Sequence, residues 1–399
     1  MPETSLTPYT KYFQAAQTER HVLELVMQLE DPDSWLYQQF YGSTGVTATR
    51  LEIATGDHYG HDVLLKNETR HTLHLGNRSY DAASFKRRGA LLAGLLSKRA
   101  NPNLTTFVAA SHGNHGIGVV MAAKTLGVHA NIYCPESVND EKLKKLRSLG
   151  AVVHSRGLRT FEDAMTAAIL ASTRRGYVLI HPFDQPEVIA GQATIGLEIV
   201  RDLLGRSAKG TIDLHTSPIE IYVAVAGGGL LSGVSIVLKR YKDLGILGTN
   251  NVQLFGAQMV GCDAARRSVA NLHEGGNGLA TFAGGEFNEA CDSTAVREVG
   301  RLTLPFMANS EYVQGFHLVS EAQVAQAMKQ LSSTLGRQVE PAGALAYAAA
   351  KQQSARYSRA TNGNEQLATF ITPVCGSNVT AETVNYFQAS LRNDLVTFK

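Results

Sequence analysis

The chain of 399 residues is long enough for two or three domains, and 44% apolar residues allow a large buried core. A formal net charge of +2 is too balanced for a nucleic-acid-binding surface. We find no apolar stretch of the ~18 residues that a membrane span needs, and no signal peptide at the N-terminus. The cysteines lie far apart without metal-ligand spacing, which indicates a reduced, soluble, cytoplasmic protein; they are Cys134, Cys262, Cys291 and Cys375.

The first eighty residues hold a helical segment followed by shorter elements. Apolar residues at helical spacing predict helices across residues 8–41, and Pro32 is expected to break them in two. We interpret residues 1–44 as an N-terminal helical extension that serves as a cap or an interface. Residues 63–66 predict a buried strand. The polar segment 69–82 predicts a loop that either borders a ligand pocket or lies on the surface.

Lys86 stands at the start of the next predicted helix. Phe85 and apolar residues within 90–96 recur at helical spacing, which places Lys86 in the first turn beside a packed face. A lysine in such a position loses water, which lowers the pKa of its ammonium and makes the neutral amine available as a nucleophile. In the alternative interpretation Lys86, Arg87 and Arg88 form a solvated basic face.

From residue 104 onwards, strands and helices alternate along the chain. This alternation predicts parallel sheets that are covered by helices on both faces. The expected strands are residues 106–110, 130–134, 151–154, 177–180, 219–226, 252–257, 314–319 and 367–372. The expected helices include residues 116–126, 140–149, 161–174 and 187–204 and one that ends at residue 241. Residues 275–285 predict a long loop.

The first of three strand-to-helix turns has the sequence Ser111-His112-Gly113-Asn114-His115-Gly116. Ligands of open α/β sheets bind at the carboxyl ends of strands, and the free amides of a helix start favour an anion such as a carboxylate. The Asn114 amide can both donate and accept, which suits a phenolic oxygen. The two histidines have no obvious third ligand, so no metal is expected. An ordinary turn is the alternative interpretation.

Three successive glycines, Gly227, Gly228 and Gly229, form the second turn before Leu230. Consecutive amides without side chains at a helix start form a nest for phosphate. The run is not a dinucleotide-binding G-x-G-x-x-G motif, and it lacks the lysine of a nucleoside-triphosphate loop. The third turn contains Cys375, whose thiol by itself indicates buried packing.

Together these residues point to one cofactor. Pyridoxal phosphate needs a lysine that forms an imine, an anchor for its phosphate and a partner for its ring oxygen. Lys86, the glycine turn and Asn114 match these three needs.

The same residues belong to motifs that resemble those of the fold-type II pyridoxal-phosphate enzymes, in particular the threonine/serine dehydratase and serine racemase branch. The motifs follow the family's order and are Ser84-Phe85-Lys86 with Arg88-Gly89-Ala90, Ser111 to His115, residues 181–192, Gly227 to Leu230, Glu340-Pro341-Ala342-Gly343-Ala344 and Cys375-Gly376-Ser377-Asn378. The resemblance implies an α/β fold of the tryptophan synthase β type, with two open parallel-sheet domains and the cofactor between them. It implies a large cofactor-binding domain of residues 1–103 plus 183–399 and a small domain of residues 104–182.

The resemblance also implies a role for each candidate site residue. Lys86 is expected to form a Schiff base with the cofactor and to move the α-proton, Phe85 to pack on the cofactor ring, and Asn114 to bond its ring oxygen. The cofactor phosphate is expected on the backbone amides of Gly227, Gly228, Gly229 and Leu230. The substrate carboxylate is expected on Ser111, Gly113, Asn114 and His115. Cys375 is expected to face the pyridine nitrogen, where a thiol is a weak partner.

The implied activity is that of an ammonia-lyase, or dehydratase, which removes water and ammonia from a β-hydroxy amino acid such as serine or threonine to give a 2-oxo acid. Two other activities stay open: a racemase that uses His112 opposite Lys86, and a β-replacement enzyme. A cofactor-binding protein without catalysis is the non-enzymatic alternative. The expected partners are a small amino-acid substrate and a second copy of the chain in a homodimer, with no nucleic acid and no membrane.

Several features differ from the family's pattern, and the following bear on metal binding, the Lys86 segment and regulation. At the loop where the family binds a divalent cation, Gln258 replaces the first of two acidic residues and Asp263 follows, so we expect no Mg²⁺ or Ca²⁺ there. Ala83 replaces the usual glycine or polar residue before Ser84. The chain ends about twenty residues after Asn378, so feedback inhibition by isoleucine is not expected.

Overall fold

The computed structural model of the chain describes residues 8–42, 45–54, 60–75, 77–111, 113–278, 280, 294, 296–361 and 367–394. The helices within these ranges are α1 (Pro8–Glu30), α2 (Trp35–Tyr41), α3 (Lys86–Ala100), α4 (Asn114–Leu126), α5 (Asp140–Ser148), α6 (Phe161–Ser172), α7 (Pro186–Ala208), α8 (Gly229–Asp243), α9 (Ala264–His273), α10 (Leu304–Met307), α11 (Glu321–Leu335), α12 (Pro341–Thr361) and α13 (Ala381–Asp394). The strands are β1 (Leu51–Ile53), β2 (Asp62–Asn67), β3 (Thr72–Leu75), β4 (Arg78–Asp81), β5 (Thr106–Ala110), β6 (His129–Tyr133), β7 (Val152–His154), β8 (Tyr177–Leu179), β9 (Ile219–Ala224), β10 (Val252–Met259), β11 (Gly315–Val319) and β12 (Thr369–Val374).

Two largely parallel sheets carry the fold, as the alternating pattern predicts. The larger sheet has the order β1-β2-β12-β9-β10-β11, with the β1–β2 pair antiparallel and the other neighbours parallel. The smaller sheet has the order β7-β6-β5-β8 and is parallel throughout. Every residue of β5 and β12 is buried, as expected of parallel strands covered on both faces. The division into domains of residues 1–103 plus 183–399 and residues 104–182 places each sheet in one domain and stays a prediction.

Helix α7 lies at the centre of the packing. All of its residues from Val188 to Val200 are buried, which is typical of a helix enclosed by other elements, and it contacts α1, α3 and α8. Helices α3 and α7 approach closely because Gly89 faces Gly191, where a Cβ atom would lie 2.5 Å from the Gly89 Cα. A Cβ at Gly118 of α4 would lie 3.0 Å from the carbonyl carbon of Lys86. The start of α3 is therefore enclosed by both neighbouring helices.

The N-terminal segment forms the two predicted helices, α1 and α2, which are separated around Pro32. Helix α1 packs on α7 and α8, and its buried side chains include Val22, Val26 and Leu29. The side-chain hydroxyl of Ser34 accepts a hydrogen bond from the Tyr37 amide at 3.0 Å and caps α2. Among the described helices, the structure contains none with the length and apolar character of a membrane span.

The prediction of a loop at residues 69–82 is wrong. Strands β3 and β4 form an antiparallel hairpin there, in which Thr72 pairs with Asp81. Most residues of the hairpin are exposed or half-buried. Polar side chains therefore occur on both faces, and the sequence lacks the alternation of apolar and polar residues that indicates a half-buried strand. The other predicted loop, at residues 275–285, lies partly outside the described residues.

Candidate active site

Lys86 is the first residue of α3 and is half-buried. Its Nζ donates a hydrogen bond to the carbonyl oxygen of Pro182 at 2.9 Å and lies 5.1 Å from the centre of the Phe85 ring. Burial lowers the pKa of Lys86 from its ordinary value to about 8, although Cys375 and Glu340 favour the charged form. A substantial fraction of this amine is therefore neutral near pH 7 to 8, as a nucleophile requires.

The third turn lies directly against the residues that precede Lys86. The Phe85 amide donates to the carbonyl oxygen of Cys375 at 3.2 Å, and the Ser377 amide donates to that of Ala83 at 2.8 Å. The two segments thus form a short antiparallel contact that fixes the turn beside the Lys86 helix.

Cys375 is 3% exposed, and its Sγ donates to the carbonyl oxygen of Pro373 at 3.7 Å. Burial, together with the nearby Glu340 and Glu68, raises the pKa of this thiol well above its ordinary value. The thiol stays protonated at neutral pH and is a weak hydrogen-bond donor. Its place opposite a pyridine nitrogen stays a prediction.

The glycine turn contacts the segment that binds Lys86. A Cβ at Gly227 would lie 2.3 Å from the Phe183 ring, and one at Gly229 would lie 2.8 Å from the Phe183 carbonyl oxygen. Gly228, with a φ of 95°, is the N-cap residue of α8 and makes no side-chain cap bond, so the first amides of the helix are available to an anion. Because Phe183 follows Pro182, Lys86 and the glycine turn contact the same short segment.

A second contact fixes the glycine turn, and the sequence analysis did not predict it. The Thr303 hydroxyl donates to the Gly227 carbonyl oxygen at 2.7 Å. The carboxylate of Asp184 accepts from the amides of Arg301 at 3.0 Å and Leu302 at 2.9 Å. The sequence could have indicated Asp184, because it belongs to the motif of residues 181–192. No motif in the sequence includes Thr303.

The first turn leads into α4 and is organised by Ser111. The Ser111 hydroxyl accepts hydrogen bonds from the amides of Gly113 at 3.1 Å and Gly116 at 2.8 Å. The side chain of Ser111 therefore holds the turn. His115 donates from Nε2 to the carbonyl oxygen of Ile180 at 2.9 Å, and burial, with Lys86 nearby, lowers its pKa to about 3. Its imidazole is neutral and bonds an interior carbonyl group rather than the turn itself.

Asn114 is the first residue of α4. Its Nδ2 donates to Oε1 of Glu340 at 2.6 Å, and its Oδ1 is buried without a hydrogen-bond partner among the described residues. A buried amide oxygen without a partner is costly, so this atom indicates a missing ligand group. His112 lies outside the described residues, and its predicted catalytic role stays a prediction.

The solvated basic face considered for Lys86, Arg87 and Arg88 is wrong, because both arginines are fully buried. Arg88 donates to Glu68 at 2.7 and 2.8 Å and to Glu198 at 2.6 and 2.9 Å. Lys66 reaches the same Glu198 carboxylate at 2.6 Å. Two buried cations and two buried carboxylates thus neutralise one another beneath the Lys86 helix.

In the loop of residues 258–263, where no metal is expected, the side chains of Gln258 and Asp263 are bound by other protein groups. The side chain of Gln258 donates to the carbonyl oxygens of Val225 at 3.3 Å and Cys262 at 3.4 Å. The Asp263 carboxylate is bound by Arg266 at 2.6 Å and Arg267 at 2.8 Å. The described residues contain no group of three or more His, Cys, Asp or Glu side chains that could hold a metal ion. The absence of a cation stays a prediction.

Comparison with known proteins gives the class. A family model described as "Pyridoxal-phosphate dependent enzyme" matches residues 41–372, and the chain belongs to this family. Its parallel sheets are those of fold type II, and it belongs to the threonine/serine dehydratase branch of the family.

Individual relatives support this placement. The L-threonine ammonia-lyase of Thermotoga maritima is 35% identical over 272 residues, covering 67% of this chain and 59% of that protein. The mitochondrial threonine dehydratase of Schizosaccharomyces pombe is 34% identical over 275 residues, covering 69% of this chain and 41% of that protein. The chain therefore spans less than two thirds of the length of these relatives.

Solved structures share the fold. A processed form of threonine deaminase isoform 2 from Solanum lycopersicum superposes with a TM-score of 0.72 at 25% identity, covering 93% of both chains. Maize serine racemase superposes with a TM-score of 0.68 at 22% identity, covering 95% of this chain and 98% of that one.

The cofactor of this family is pyridoxal phosphate, and the residues of the site fit it. Lys86 supplies an amine whose pKa desolvation lowers to about 8. The glycine turn leaves no room for side chains, and its helix begins without a side-chain cap. The Oδ1 of Asn114, which has no hydrogen-bond partner among the residues that the structure describes, is left for a polar ring substituent.

Proposed function

We propose that this chain is a pyridoxal-phosphate-dependent ammonia-lyase that converts a β-hydroxy amino acid of the serine or threonine type to a 2-oxo acid and ammonia. The similarity to an L-threonine ammonia-lyase and to a threonine dehydratase supports this activity. The observation that carries the proposal is the contact of Lys86 with Pro182, next to the residue that packs on the glycine turn. It supports the proposal because the candidate nucleophile and the candidate phosphate nest contact the same short segment.

We further propose how the cofactor is held. Lys86 carries it covalently, Phe85 lies against its ring, Asn114 bonds its ring oxygen and Cys375 faces its ring nitrogen. The phosphate binds to the amides of Gly227, Gly228, Gly229 and Leu230. When bound, the cofactor supplies an electron sink for negative charge that develops at the substrate Cα.

The residues of the chain then perform the following steps. The turn of Ser111, Gly113, Asn114 and His115 receives the substrate carboxylate through its backbone and orients the Cα–H bond. Once the substrate amino group has replaced Lys86 on the cofactor, the released neutral amine of Lys86 would remove the Cα proton. The Cβ–O bond breaks, and the hydroxyl takes up a proton and leaves as water. Hydrolysis of the C–N bond consumes one water and releases ammonia, so the net products are the 2-oxo acid and ammonia.

The weak partner at the ring nitrogen favours elimination. Because the buried thiol of Cys375 stays protonated and donates poorly, it stabilises a protonated ring nitrogen less than a carboxylate would. The negative charge that develops at the substrate Cα is then less stabilised and short-lived. An elimination tolerates this, since the hydroxyl leaves soon after the proton.

A substrate panel tests the proposal. The cofactor-loaded protein is incubated with both enantiomers of serine, threonine and other β-substituted amino acids, and 2-oxo acid, ammonia and enantiomer composition are measured. We expect equal amounts of 2-oxo acid and ammonia from serine or threonine, and none with Lys86→Ala. Inversion of configuration without 2-oxo acid would contradict the proposal and favour the racemase that uses His112. A thioether product formed only with an added thiol would favour β-replacement.

The assembly and location are also proposals. We propose a homodimer of two-domain subunits in the cytoplasm, on the strength of the family resemblance. Light scattering of the purified protein tests the dimer, and a monomer mass at micromolar concentration would contradict it.

A further inference from the structure

Glu340 forms a direct contact across the candidate site. It is 4% exposed and immediately precedes α12, which packs on the larger sheet. Its Oε1 accepts from Nδ2 of Asn114 at 2.6 Å. Asn114 begins α4, which follows β5 of the smaller sheet. A short, charge-assisted hydrogen bond thus joins the two sheets at the residue that is expected to bond the cofactor oxygen.

The contact dictates which way the Asn114 amide points. A carboxylate oxygen can only accept a hydrogen bond, so it must face the Nδ2 group. The opposite orientation would bring two acceptor oxygens to the same short distance. With Nδ2 turned to Glu340, the Oδ1 atom and the second Nδ2 hydrogen of Asn114 are left for a ligand, and Oδ1 is buried without a partner among the described residues.

We propose that Glu340 is a positioning residue that fixes the orientation of the Asn114 amide toward the cofactor. The inference rests on the proposed cofactor site, but it does not depend on which amino acid the enzyme eliminates.

The neighbouring loop is shaped to admit this carboxylate. A Cβ at Gly376 would lie 2.2 Å from Oε1 of Glu340 and 3.1 Å from Nδ2 of Asn114. The Glu340 amide also donates to the carbonyl oxygen of Gly376 at 3.2 Å. Only glycine at position 376 lets the carboxylate reach Asn114 without displacing the loop that carries Cys375.

Charged groups from three other elements surround the carboxylate. Glu340 interacts electrostatically with Lys86 at the start of α3, with Cys375 after β12 and with Lys145 of α5. It favours the charged form of Lys86. Removing its charge therefore has an electrostatic effect on Lys86 that is separate from its contact with Asn114.

Two variants separate the contact from the charge. Glu340→Gln removes the charge, and because a glutamine amide can donate or accept, it no longer dictates the orientation of Asn114. Glu340→Asp keeps the charge but withdraws the oxygen from Asn114. The matched control is Glu220→Gln, since Glu220 is also 4% exposed and accepts from Tyr222 at 2.5 Å and Tyr357 at 2.7 Å, at the far end of β9 from the glycine turn.

Three measurements on the apoprotein are needed, and none uses turnover. Thermal unfolding reports folding, equilibrium titration gives the dissociation constant for pyridoxal phosphate, and the pH dependence of the reaction with pyridoxal reports the amine of Lys86. We expect both Glu340 variants to weaken cofactor binding about tenfold, as for one hydrogen bond to a charged group. Glu340→Gln is expected to move the midpoint of the pH profile to lower pH, whereas Glu340→Asp leaves it in place. Glu220→Gln is expected to change neither quantity.

A double substitution tests whether Glu340 acts through Asn114. In the Asn114→Ala background, Glu340→Gln is expected to cause no further loss of cofactor affinity. Additive losses would overturn the inference, as would an affinity of Glu340→Gln within twofold of the unaltered protein or an equal loss in Glu220→Gln. If Glu340→Gln does not fold, Glu340→Asp is combined with Asn114→Ala instead, and the same absence of a further loss of cofactor affinity is expected. A protein that binds the cofactor but eliminates no amino acid would refute the proposed activity and leave this test intact.

Discussion

Lys86 Nζ donates a hydrogen bond to the carbonyl oxygen of Pro182 at 2.9 Å. Phe183, the next residue, fills the space that a side chain at Gly227 would occupy. One short segment therefore connects the candidate nucleophile to the candidate phosphate nest. Burial of the amine is the main cause of its lowered pKa.

The first prediction concerns the pH dependence of cofactor uptake. Burial lowers the pKa of Lys86 to about 8, so the amine is charged below this pH and neutral above it. The rate at which the apoprotein takes up pyridoxal phosphate should rise with a midpoint near pH 8. Nα-acetyl-lysine, whose side chain has an ordinary pKa of ~10.4, serves as the control. A protein profile that coincides with that of the free amino acid would contradict the prediction.

The second prediction concerns Ala83, which has a φ of 54° although it is not glycine. An L-residue in this left-handed region costs ~1–2 kcal/mol, and glycine does not have this cost. Ala83→Gly should leave the free energy of unfolding unchanged or raise it by up to ~1 kcal/mol, whereas Ala83→Val should lower it. Ala82→Gly, at the neighbouring buried alanine without positive φ, is the control and should destabilise. Urea denaturation measures all three, and a loss in Ala83→Gly equal to that in Ala82→Gly would refute the strain.

The third prediction concerns the buried charges around Arg88. Glu198→Gln would leave Arg88 and Lys66 without one of their two carboxylates in a site that is at most 3% exposed. The expected loss in the free energy of unfolding is ~3–5 kcal/mol. Asp243→Asn removes the partner of Lys239 in a contact where the aspartate is 59% exposed, and it should cost about 0.5 kcal/mol or less. Equal losses for the two variants in urea denaturation would contradict the account.

The fourth prediction concerns metal dependence. Asp263 is bound by Arg266 and Arg267, and the side chain of Gln258 bonds backbone groups of the same loop. Treatment with a chelator, followed by addition of Mg²⁺ or Ca²⁺, should change neither the melting temperature nor the turnover of 2-oxo acid. Asp263→Asn should lower the melting temperature because it releases both arginines. A melting temperature that falls with chelator and recovers with Mg²⁺ would show that the loop does hold a cation.

The sequence predicts much of the fold because parallel strands that are buried on both faces form short apolar runs between turns. Strand β5 occupies the predicted residues, and β12 lies two residues from its predicted position. The hairpin of β3 and β4 was not predicted, since a two-stranded ribbon on the surface has no buried face to impose alternation. Tertiary packing, rather than local pattern, decides such a segment.

The side-chain pairs of the site are harder to predict. Arg88 binds Glu68 and Glu198, which are 20 and 110 residues away in the sequence. Asn114 binds Glu340 at a separation of 226 residues. Local sequence contains no signal for such pairs, so the arginines had a solvated alternative, and Glu340 was marked only as part of a motif without a predicted partner. The turns that carry Asn114 and the three glycines were predictable because strand-to-helix turns with small residues are local features.

The central claim is that Lys86 carries the cofactor, and chemical trapping tests it most directly. The protein is loaded with pyridoxal phosphate, reduced with borohydride and digested, and the peptides are mapped by mass spectrometry. The account predicts a phosphopyridoxyl group on Lys86, and none on that peptide in Lys86→Arg. A protein that retains the group on a different lysine, or one that takes up no pyridoxal phosphate, would contradict the account.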